Sequence, residues 1–400
     1  MPNTILTPQM ITREAARILH QKATFIGSIN RSYDDSYAKD SGKIGSTLKI
    51  RLPNQYTVRT GATLATQDTT EQSVDLTVAT QKGVDLNFTS AELTLSLDDF
   101  SSRIIEPAMS VLAANIEADA MSMYRDVYQS TWNNGSAITL GRILASRKIL
   151  QDSLAPLNNR TANLNTQDNV DLIDNTKGLF NAQASISKQY TEGYMGNTAG
   201  MDFMESSLWA NHTRGAANTA YTTSTLVGVL ATNGTAYQSI TVATGTGAAN
   251  IGDVFTIANV FKVHPESKAN TGILQQFVVT AAYAGGAGSL QISPAIVLGG
   301  ARQNCVIPTT SATAAITWAG TASTGVGTSL VYQKDAFAFV SADLILPKGV
   351  DFAYREVIDN LSIRLVRAYN INDDTLPCRL DILYGYKAIR PQLAVRLHNN

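Results

Sequence analysis

The sequence has almost no net charge. Its 31 basic and 32 acidic residues give a formal charge of −1 at pH 7. A protein that holds nucleic acid through its phosphates needs a strongly basic surface. The charge balance therefore excludes a dedicated nucleic-acid-binding protein, and any contact with DNA should be non-specific.

Cysteine and uninterrupted apolar runs are also scarce. Cys305 and Cys378 are far apart, which favours two buried thiols over a disulfide. The first residues lack a charged start followed by an apolar run, so we predict no secretory signal and synthesis in the cytoplasm. The uncharged stretch from Ala269 to Ala301 is broken by Asn, Gln, Gly and Pro, which argues against a membrane-spanning helix.

Motifs for catalysis or cofactor binding are missing. The chain has no Gly-x-Ser-x-Gly elbow, no phosphate-binding glycine loop and no Cys-x-x-Cys or His-x-x-x-His spacing. The four histidines are scattered: His20, His212, His264 and His398. Three acid pairs suit a helix N-terminus or solvated loops better than acid–base chemistry: Asp34 and Asp35, Asp98 and Asp99, and Asp373 and Asp374. We therefore predict no enzyme, and no catalytic, cofactor-binding or metal-binding residues.

What is present suits a folded chain of two or three compact units, with 44% hydrophobic residues among 400. A first helix begins near Thr7 and Pro8 and carries one apolar face. That face consists of Ile11, Ala15, Ile18 and Leu19. An ordinary surface helix and a partner-binding arm both remain open for this segment.

A period-two pattern from Ser46 to Thr89 predicts three strands. Their alternating apolar residues are Leu48, Ile50 and Leu52, then Val74, Leu76 and Val78, then Val84, Leu86 and Phe88. The polar stretch from Asn54 to Ser73 has almost nothing to bury. A ribbon with such a tip is not stable alone, so we expect an arm lying on a neighbouring molecule rather than a disordered loop.

Two helical segments follow the ribbon. A possible capping box at Thr89 and Glu92 precedes a helical pattern that runs to about Tyr128, and Pro107 marks either its start or a kink. Its apolar positions include Ile105, Leu112, Ile116, Met123 and Val127. A second helix is predicted from Thr139 to Leu154, with one apolar side formed by Leu140, Ile143, Leu144 and Leu150.

The section from Gly215 to Gln333 differs in composition. Its only charged residues are Asp253, Lys262, Glu266, Lys268 and Arg302, although 16% of the whole chain is charged. Short β-rich runs separated by Gly, Asn and Pro predict an all-β module. The mixed composition returns at Lys334, so we expect one fold interrupted by this insertion, whose ends must lie close together.

Several segments together resemble the coat proteins of tailed double-stranded DNA phages. Leu112, Ala113, Asn115, Ile116 and Glu117 resemble the family's spine helix. The more specific motifs are LFNAQ (Leu179 to Gln183), AGMDFMESSLWANHTRG (Ala199 to Gly215), DAFAFVSADLILPKG (Asp335 to Gly349) and CRLDILYGYKAIRPQLAVRL (Cys378 to Leu397). Their order and spacing are similar to the P22-type branch of the HK97-like fold, which carries an inserted domain.

The resemblance implies an α+β fold with six parts. These are an N-terminal arm (1–45), an extended β-ribbon loop (46–89), a peripheral domain with a long spine helix (90–134), an axial domain (135–214 and 334–385), an inserted β-barrel-like domain (215–333) and a C-terminal peripheral segment (386–400).

It also implies a major capsid protein that forms hexamers and pentamers of an icosahedral shell around viral DNA. The expected partners are further copies of the chain, a scaffolding protein and a portal protein, with a decoration protein as a further candidate. No contact with a membrane is expected, and assembly would take place in the host bacterial cytoplasm. A separate scaffolding protein is expected because few residues precede the ribbon. Some relatives cross-link a ribbon lysine to a neighbour's asparagine, but residues 54–73 contain no lysine. The alternatives are a secreted β-rich adhesin and a host-encoded nanocompartment shell.

Overall fold

The computed structural model describes residues 8–32, 46–64, 66–67, 71–89, 104–133, 135–176, 197–218, 220–224, 237–308, 313–371 and 375–399. The chain forms two compact units, each assembled from segments that are distant in sequence. Unit 1 comprises residues 1–50, 75–121 and 337–387. Unit 2 comprises residues 51–74, 122–336 and 388–400.

The first helix of unit 1, α1, spans Pro8–Lys22. All four residues of its predicted apolar face are buried: Ile11, Ala15, Ile18 and Leu19. This face packs within unit 1 against a later helix, α3 (Glu106–Met121), and two later strands, Phe352–Ile358 and Leu361–Arg367. The packing favours the ordinary surface helix over the partner-binding arm.

Helix α3 also holds the short helix α2 (Thr24–Ser28) in place. The residue before α2 is Ala23, whose side chain cannot cap a helix. Glu117 of α3 takes that role, because its carboxylate accepts hydrogen bonds from the Phe25 backbone N–H (2.5 Å) and the Thr24 hydroxyl (2.9 Å). Burial raises the pKa of Glu117, and these hydrogen bonds oppose the rise.

The predicted long helix ends earlier than its pattern suggested. The α-helix α3 begins at Glu106 with Pro107 in its first turn, but Ile104 and Ile105 before it are already π-helical, so Pro107 does not mark the first helical residue. α3 ends at Met121, and a 3-10 turn at Ser122–Asp126 replaces the helix that was expected to reach Tyr128. Residues 90–103, with Glu92 of the predicted capping box, lie outside the described residues.

Unit 1 contains a five-stranded sheet. Its strands are β3 (Thr80–Thr89), β18 (Phe337–Ala342), β19 (Phe352–Ile358), β20 (Leu361–Arg367) and β21 (Thr375–Ala388). Their order in the sheet is β18, β21, β20, β19, and β3 also pairs with β21. β3 and β21 are antiparallel along the whole of β3, from Thr80 opposite Tyr384 to Thr89 opposite Thr375. The third predicted strand run is thus a strand of this sheet, whereas β1 (Ser46–Leu52) and β2 (Gln72–Val78) form a separate two-stranded sheet among the residues described.

Unit 2 contains a six-stranded sheet ordered β4, β22, β17, β5, β7, β6. Its strands are β4 (Ser130–Trp132), β5 (Arg160–Leu164), β6 (Asn197–Thr198), β7 (Met201–Glu205), β17 (Thr328–Gln333) and β22 (Ala394–His398). The segment 386–400, assigned by the resemblance to the peripheral domain, contributes β22 to this sheet.

Two helices accompany the six-stranded sheet, α4 (Leu140–Asp152) and α5 (Thr166–Thr176). α4 confirms the second predicted helix, with Thr139 at its N-cap position. Ile143 and Leu150 are buried as predicted, but Leu144 is 44% exposed. Within the described residues, no helix has the length and apolar character needed to cross a membrane.

An all-β module (residues 217–318) occupies the predicted insertion. Its sheet is ordered β14, β11, β12, β13, β10, β9, with β15 also on β11. The strands are β9 (Thr222–Thr223), β10 (Gln238–Thr244), β11 (Val254–Val263), β12 (Asn270–Val279), β13 (Gly288–Ser293), β14 (Cys305–Val306) and β15 (Ile316–Trp318). Tyr221, Phe255, Phe277 and Trp318 belong to one buried core.

The ends of the module lie side by side. β8 (His212–Thr213) and β16 (Gly325–Val326) are antiparallel, with Thr213 opposite Gly325. This confirms the expected proximity of the two ends. The chain enters the parent sheet at β17, which begins at Thr328, so the final residues of the predicted insertion (up to Gln333) are already parent structure.

Candidate assembly surfaces and a buried polar junction

The tip of the ribbon exposes apolar side chains. Val58 is 96% exposed, Leu64 79% and Tyr56 58%. The sequence interpretation of a tip with almost nothing to bury overlooked these three residues. Because they sit among polar neighbours, they produce no periodic pattern, yet in the single subunit they leave apolar surface open to water.

Side-chain contacts hold the two sides of the tip together. The Gln67 amide bonds the Thr57 backbone twice, accepting from its N–H (2.9 Å) and donating to its carbonyl (2.6 Å). Nearer the strands, Arg51 and Glu71 form an exposed ion pair at 3.3 Å. The tip therefore has a defined shape without a strand ladder.

A buried polar junction connects the β module with the parent part of unit 2. Its centre is Asp253, which is 1% exposed. One carboxylate oxygen lies 3.0 Å from His212 Nε2, and the other accepts from the backbone N–H groups of Gly215 (2.9 Å) and Asn250 (2.8 Å). The Asp253 carboxylate thus contacts three parts of the chain: Gly215 at the entry to the module, Asn250 in the loop before β11, and the His212 imidazole on β8.

The opposite side of the junction comes from β22. Arg396 is fully buried and donates to the Gly252 carbonyl at 2.8 Å, with its guanidinium 5.9 Å from the centre of the Tyr124 ring. Burial lowers the pKa of Arg396 to about 10. His398, two residues on, is also fully buried, and its ring centre lies 4.5 Å from that of Trp132.

The junction places one guanidinium and two imidazole rings around one acid. The rings of His398 and His212 are 5.4 Å apart, centre to centre. Burial, together with Arg396 and His212, lowers the pKa of His398 well below its ordinary value, so this ring is neutral at pH 7. The junction can hold two chain segments together, and a proton on His398 would add a positive charge near the Arg396 guanidinium.

A second polar seam joins the module to the parent part of unit 2. The Lys262 ammonium donates to the Ser153 hydroxyl (2.9 Å) at the end of α4, where burial lowers the lysine pKa. The Gln276 amide accepts from the Ser130 backbone N–H (2.7 Å) and donates to its carbonyl (2.9 Å). Gln276 therefore pairs with the edge of β4 as a neighbouring strand would.

The histidines predicted as scattered are partly brought together. His212 and His398 meet in the junction, whereas His264 Nδ1 accepts backbone N–H groups in the turn after β11. The side chain of His20 lies outside the described residues. Among the residues that the structure describes, no three His, Cys, Asp or Glu side chains form a metal-binding group.

The cysteines and the acid pairs have different outcomes. Cys305 and Cys378 are free and buried, which confirms the interpretation as buried thiols, and burial raises the pKa of each to about 12. All three acid pairs fall in segments outside the described residues: Asp34 and Asp35, Asp98 and Asp99, and Asp373 and Asp374.

The spacing of apolar residues in the sequence could not predict the junction, because its members lie far apart in the chain. His212 precedes the insertion, Asp253 lies inside it and Arg396 follows it. A weaker signal existed. Asp253 is the only acid between Gly215 and Lys262 and sits in a turn before an apolar strand, a setting in which a lone carboxylate is often structural.

A comparison with protein families decides the identity. Residues 29–398 match the family described as P22 coat protein, gene protein 5. The chain belongs to this coat protein family. It is a major capsid protein of an α+β, HK97-like fold, and its copies assemble into the icosahedral shell that encloses the double-stranded DNA of a tailed bacteriophage. The adhesin and nanocompartment hypotheses are set aside by this match.

Similar solved structures are distant in sequence. A structure described as Mycobacterium phage Che8 is 13% identical, with coverage of 94% of this chain and 90% of that chain and a TM-score of 0.47. The capsid of cyanophage P-SCSP1u is 12% identical, with coverage of 89% and 84% and a TM-score of 0.42. The mature capsid of bacteriophage PhiM1 is 11% identical, with coverage of 88% and 82% and a TM-score of 0.42. No individual curated protein sequence matches the chain.

Proposed function

We propose that the ribbon tip is the arm by which each coat subunit holds a neighbouring one in the shell. The observation that carries this proposal is the exposure of Tyr56, Val58 and Leu64 on a segment whose shape is held by Gln67. Burying these three side chains against another subunit removes apolar surface from water, at roughly 1.5–3 kcal/mol for each large side chain. A ribbon can also bend at its base, which suits contacts that repeat at slightly different angles in hexamers and pentamers.

The six parts implied by the resemblance receive corresponding roles. The extended loop (46–89) serves contacts between subunits, whereas the N-terminal segment (1–45), whose α1 packs within unit 1, joins the peripheral (90–134) and axial (135–214, 334–385) parts in the body of each capsomer. The axial part is divided between the two units, with 135–214 in unit 2 and 337–385 in unit 1. The inserted domain (215–333) stabilises the subunit, and the segment 386–400 closes the fold. The low net charge supports only non-specific contact with packaged DNA. The protein acts as a building block without a catalytic step.

Further partners complete the proposal. A separate scaffolding protein directs closure in the host bacterial cytoplasm, a portal protein occupies one vertex, and a decoration protein is a candidate for the outer face. Expressed alone, the coat protein should give monomers, aggregates or irregular particles by electron microscopy. Uniform closed shells formed at high yield without a helper would contradict the need for a scaffold.

The arm is tested by replacing Tyr56, Val58 and Leu64 together with serine. Because the three side chains are exposed, the variant should remain folded, with unchanged tryptophan fluorescence. Coexpressed with the scaffolding protein of the same phage, it should fail to give closed shells in sedimentation and electron microscopy. Val170→Ser on α5, where the side chain is 60% exposed, is the matched control and should assemble. Normal shells from the triple variant would refute the arm.

A further inference from the structure

The five-stranded sheet of unit 1 carries an open apolar groove of about 520 Å³. Its walls come from three strands and include Leu86 of β3, Val366 of β20 and Cys378 of β21, and Pro347 borders it from the loop after β18. A cavity of about 150 Å³ is enough for a benzene molecule. The groove can therefore take two large apolar side chains.

The charged residues of the groove have acidic partners within unit 1. Arg364 donates to both carboxylate oxygens of Asp381, at 3.0 and 2.6 Å, and Arg379 donates to Asp85 at 2.9 Å. The Cys378 thiol stays protonated, because burial raises its pKa to about 12. A phosphate or an acidic peptide would compete with these acids, whereas a neutral apolar segment would not. The chemistry of the groove therefore fits an apolar occupant.

An apolar projection lies beside the groove on the same unit. Ile345 is 81% exposed and Leu346 38%, although both are large aliphatic residues. Their backbone is fixed: the Ile345 carbonyl accepts from Arg364 at 2.6 Å, and Asp343 pairs with Arg355 at 3.1 Å. A projection that is already held in place loses little conformational entropy when it binds.

We propose that Ile345 and Leu346 of one copy insert into this groove of an adjacent copy in the shell. The inference rests on the shell assembly described above and names one further contact within it. Arg364 lines the groove and also donates to the Ile345 carbonyl of the projection, and both surfaces are neutral and apolar. Identical subunits need such self-complementary surfaces, because every contact must be formed by residues that each copy carries.

Covalent trapping tests the contact with a cysteine introduced in the groove wall, because the natural Cys378 thiol is buried and stays protonated. Ala368 lines the groove and is half-buried, so shells of Ile345→Cys with Ala368→Cys, assembled with the scaffolding protein, are treated with a short bismaleimide and separated on a reducing detergent gel. We expect dimers and larger species, and none from either single substitution. Val357→Cys with Ala368→Cys is the matched control, because Val357 is an apolar residue of β19 that is 50% exposed, and it should stay monomeric.

The competing occupants give other results. Linkage found only within one chain, equal linkage from Val357→Cys, or no linkage in well-formed shells would each overturn the contact while leaving shell assembly intact. Val58→Cys linking to Ala368→Cys of another chain would assign the groove to the ribbon tip instead. A wild-type protein that forms no shells with its scaffold would reject both this contact and the proposed function.

An assembly measurement supplies an independent readout. Ile345→Ser should raise the protein concentration needed for shell formation at least tenfold in light scattering, with the melting of the monomer unchanged. Val357→Ser should leave that concentration near the wild-type value. An Ile345→Ser protein that assembles at the wild-type concentration would overturn the proposal.

Discussion

Asp253→Asn is expected to destabilise unit 2 strongly, although the substitution hardly changes the shape of the side chain. The buried carboxylate accepts from two backbone N–H groups and faces His212, and Arg396 lies on the other side of the same junction. An asparagine has only one acceptor oxygen, so an amide N–H group would take the place of one of the two accepting oxygens. The substitution also removes the negative charge that attracts the buried Arg396 guanidinium, and removing one partner of a buried charge pair costs about 3–5 kcal/mol. With a urea m-value of about 3 kcal/mol per M, the unfolding midpoint should fall by about 1 M or more.

Tryptophan fluorescence is a suitable assay for this effect. The three tryptophans, Trp132, Trp209 and Trp318, all belong to unit 2, so the signal reports on the unit that contains the junction. Glu71→Gln is the control, since it removes a carboxylate from an exposed ion pair of the same unit, where the expected cost is about 0–1 kcal/mol. If Asp253→Asn shifted the midpoint no more than Glu71→Gln, the junction would not be a stabilising element.

Three further results are expected. Because burial lowers the pKa of His398 in the folded state, the folded protein binds fewer protons than the unfolded chain below about pH 6.5, so stability should fall as pH drops from 7 to 5. His398→Gln should flatten that slope in urea titrations, and an unchanged slope would contradict the assignment. We expect no covalent cross-links between subunits, because the tip has no lysine and the Lys82 ammonium is paired with Asp119 at 2.7 Å. Mature particles boiled in detergent should therefore give one band near 42.9 kDa, and a ladder of larger species that survives reduction would refute this. The isolated segment 215–326, which ends before β17, should melt cooperatively, and a spectrum of disordered chain would show that the module depends on its parent sheet.

Local patterns predicted the parts of the fold that local forces determine. The apolar face of α1 and the all-β character of the insertion follow from helical spacing and strand propensity. The end of α3 was missed. The apolar residues Met123 and Val127 continue the helical spacing, but the chain turns into a 3-10 segment after Met121, and period alone does not distinguish the two conformations.

Tertiary contacts between distant segments lay beyond such patterns. Asp253 gave only the weak signal of a lone acid. Arg396 and His398 are polar residues at alternate positions of β22, a pattern typical of a strand with one exposed face, yet all of β22 is buried. The groove of unit 1 is equally invisible in the sequence, because its walls come from β3, β20 and β21. The family resemblance supplied the architecture that these local patterns lack.

The separation between paired strands also bears on the order of folding. In the module, β10 pairs with β13 and β11 with β12, so its sheet is built largely within one continuous stretch. In the parent structure, β3 must find β21 and β4 must find β22, across most of the chain. Closing long loops is entropically costly and slow, so the module has the faster route to a folded core. Once folded, it holds Thr213 and Gly325 side by side through β8 and β16 and thereby shortens the loop that β17 must close to reach β5. The insertion would then assist the folding of the parent sheet that it interrupts, in addition to stabilising the finished subunit through Asp253.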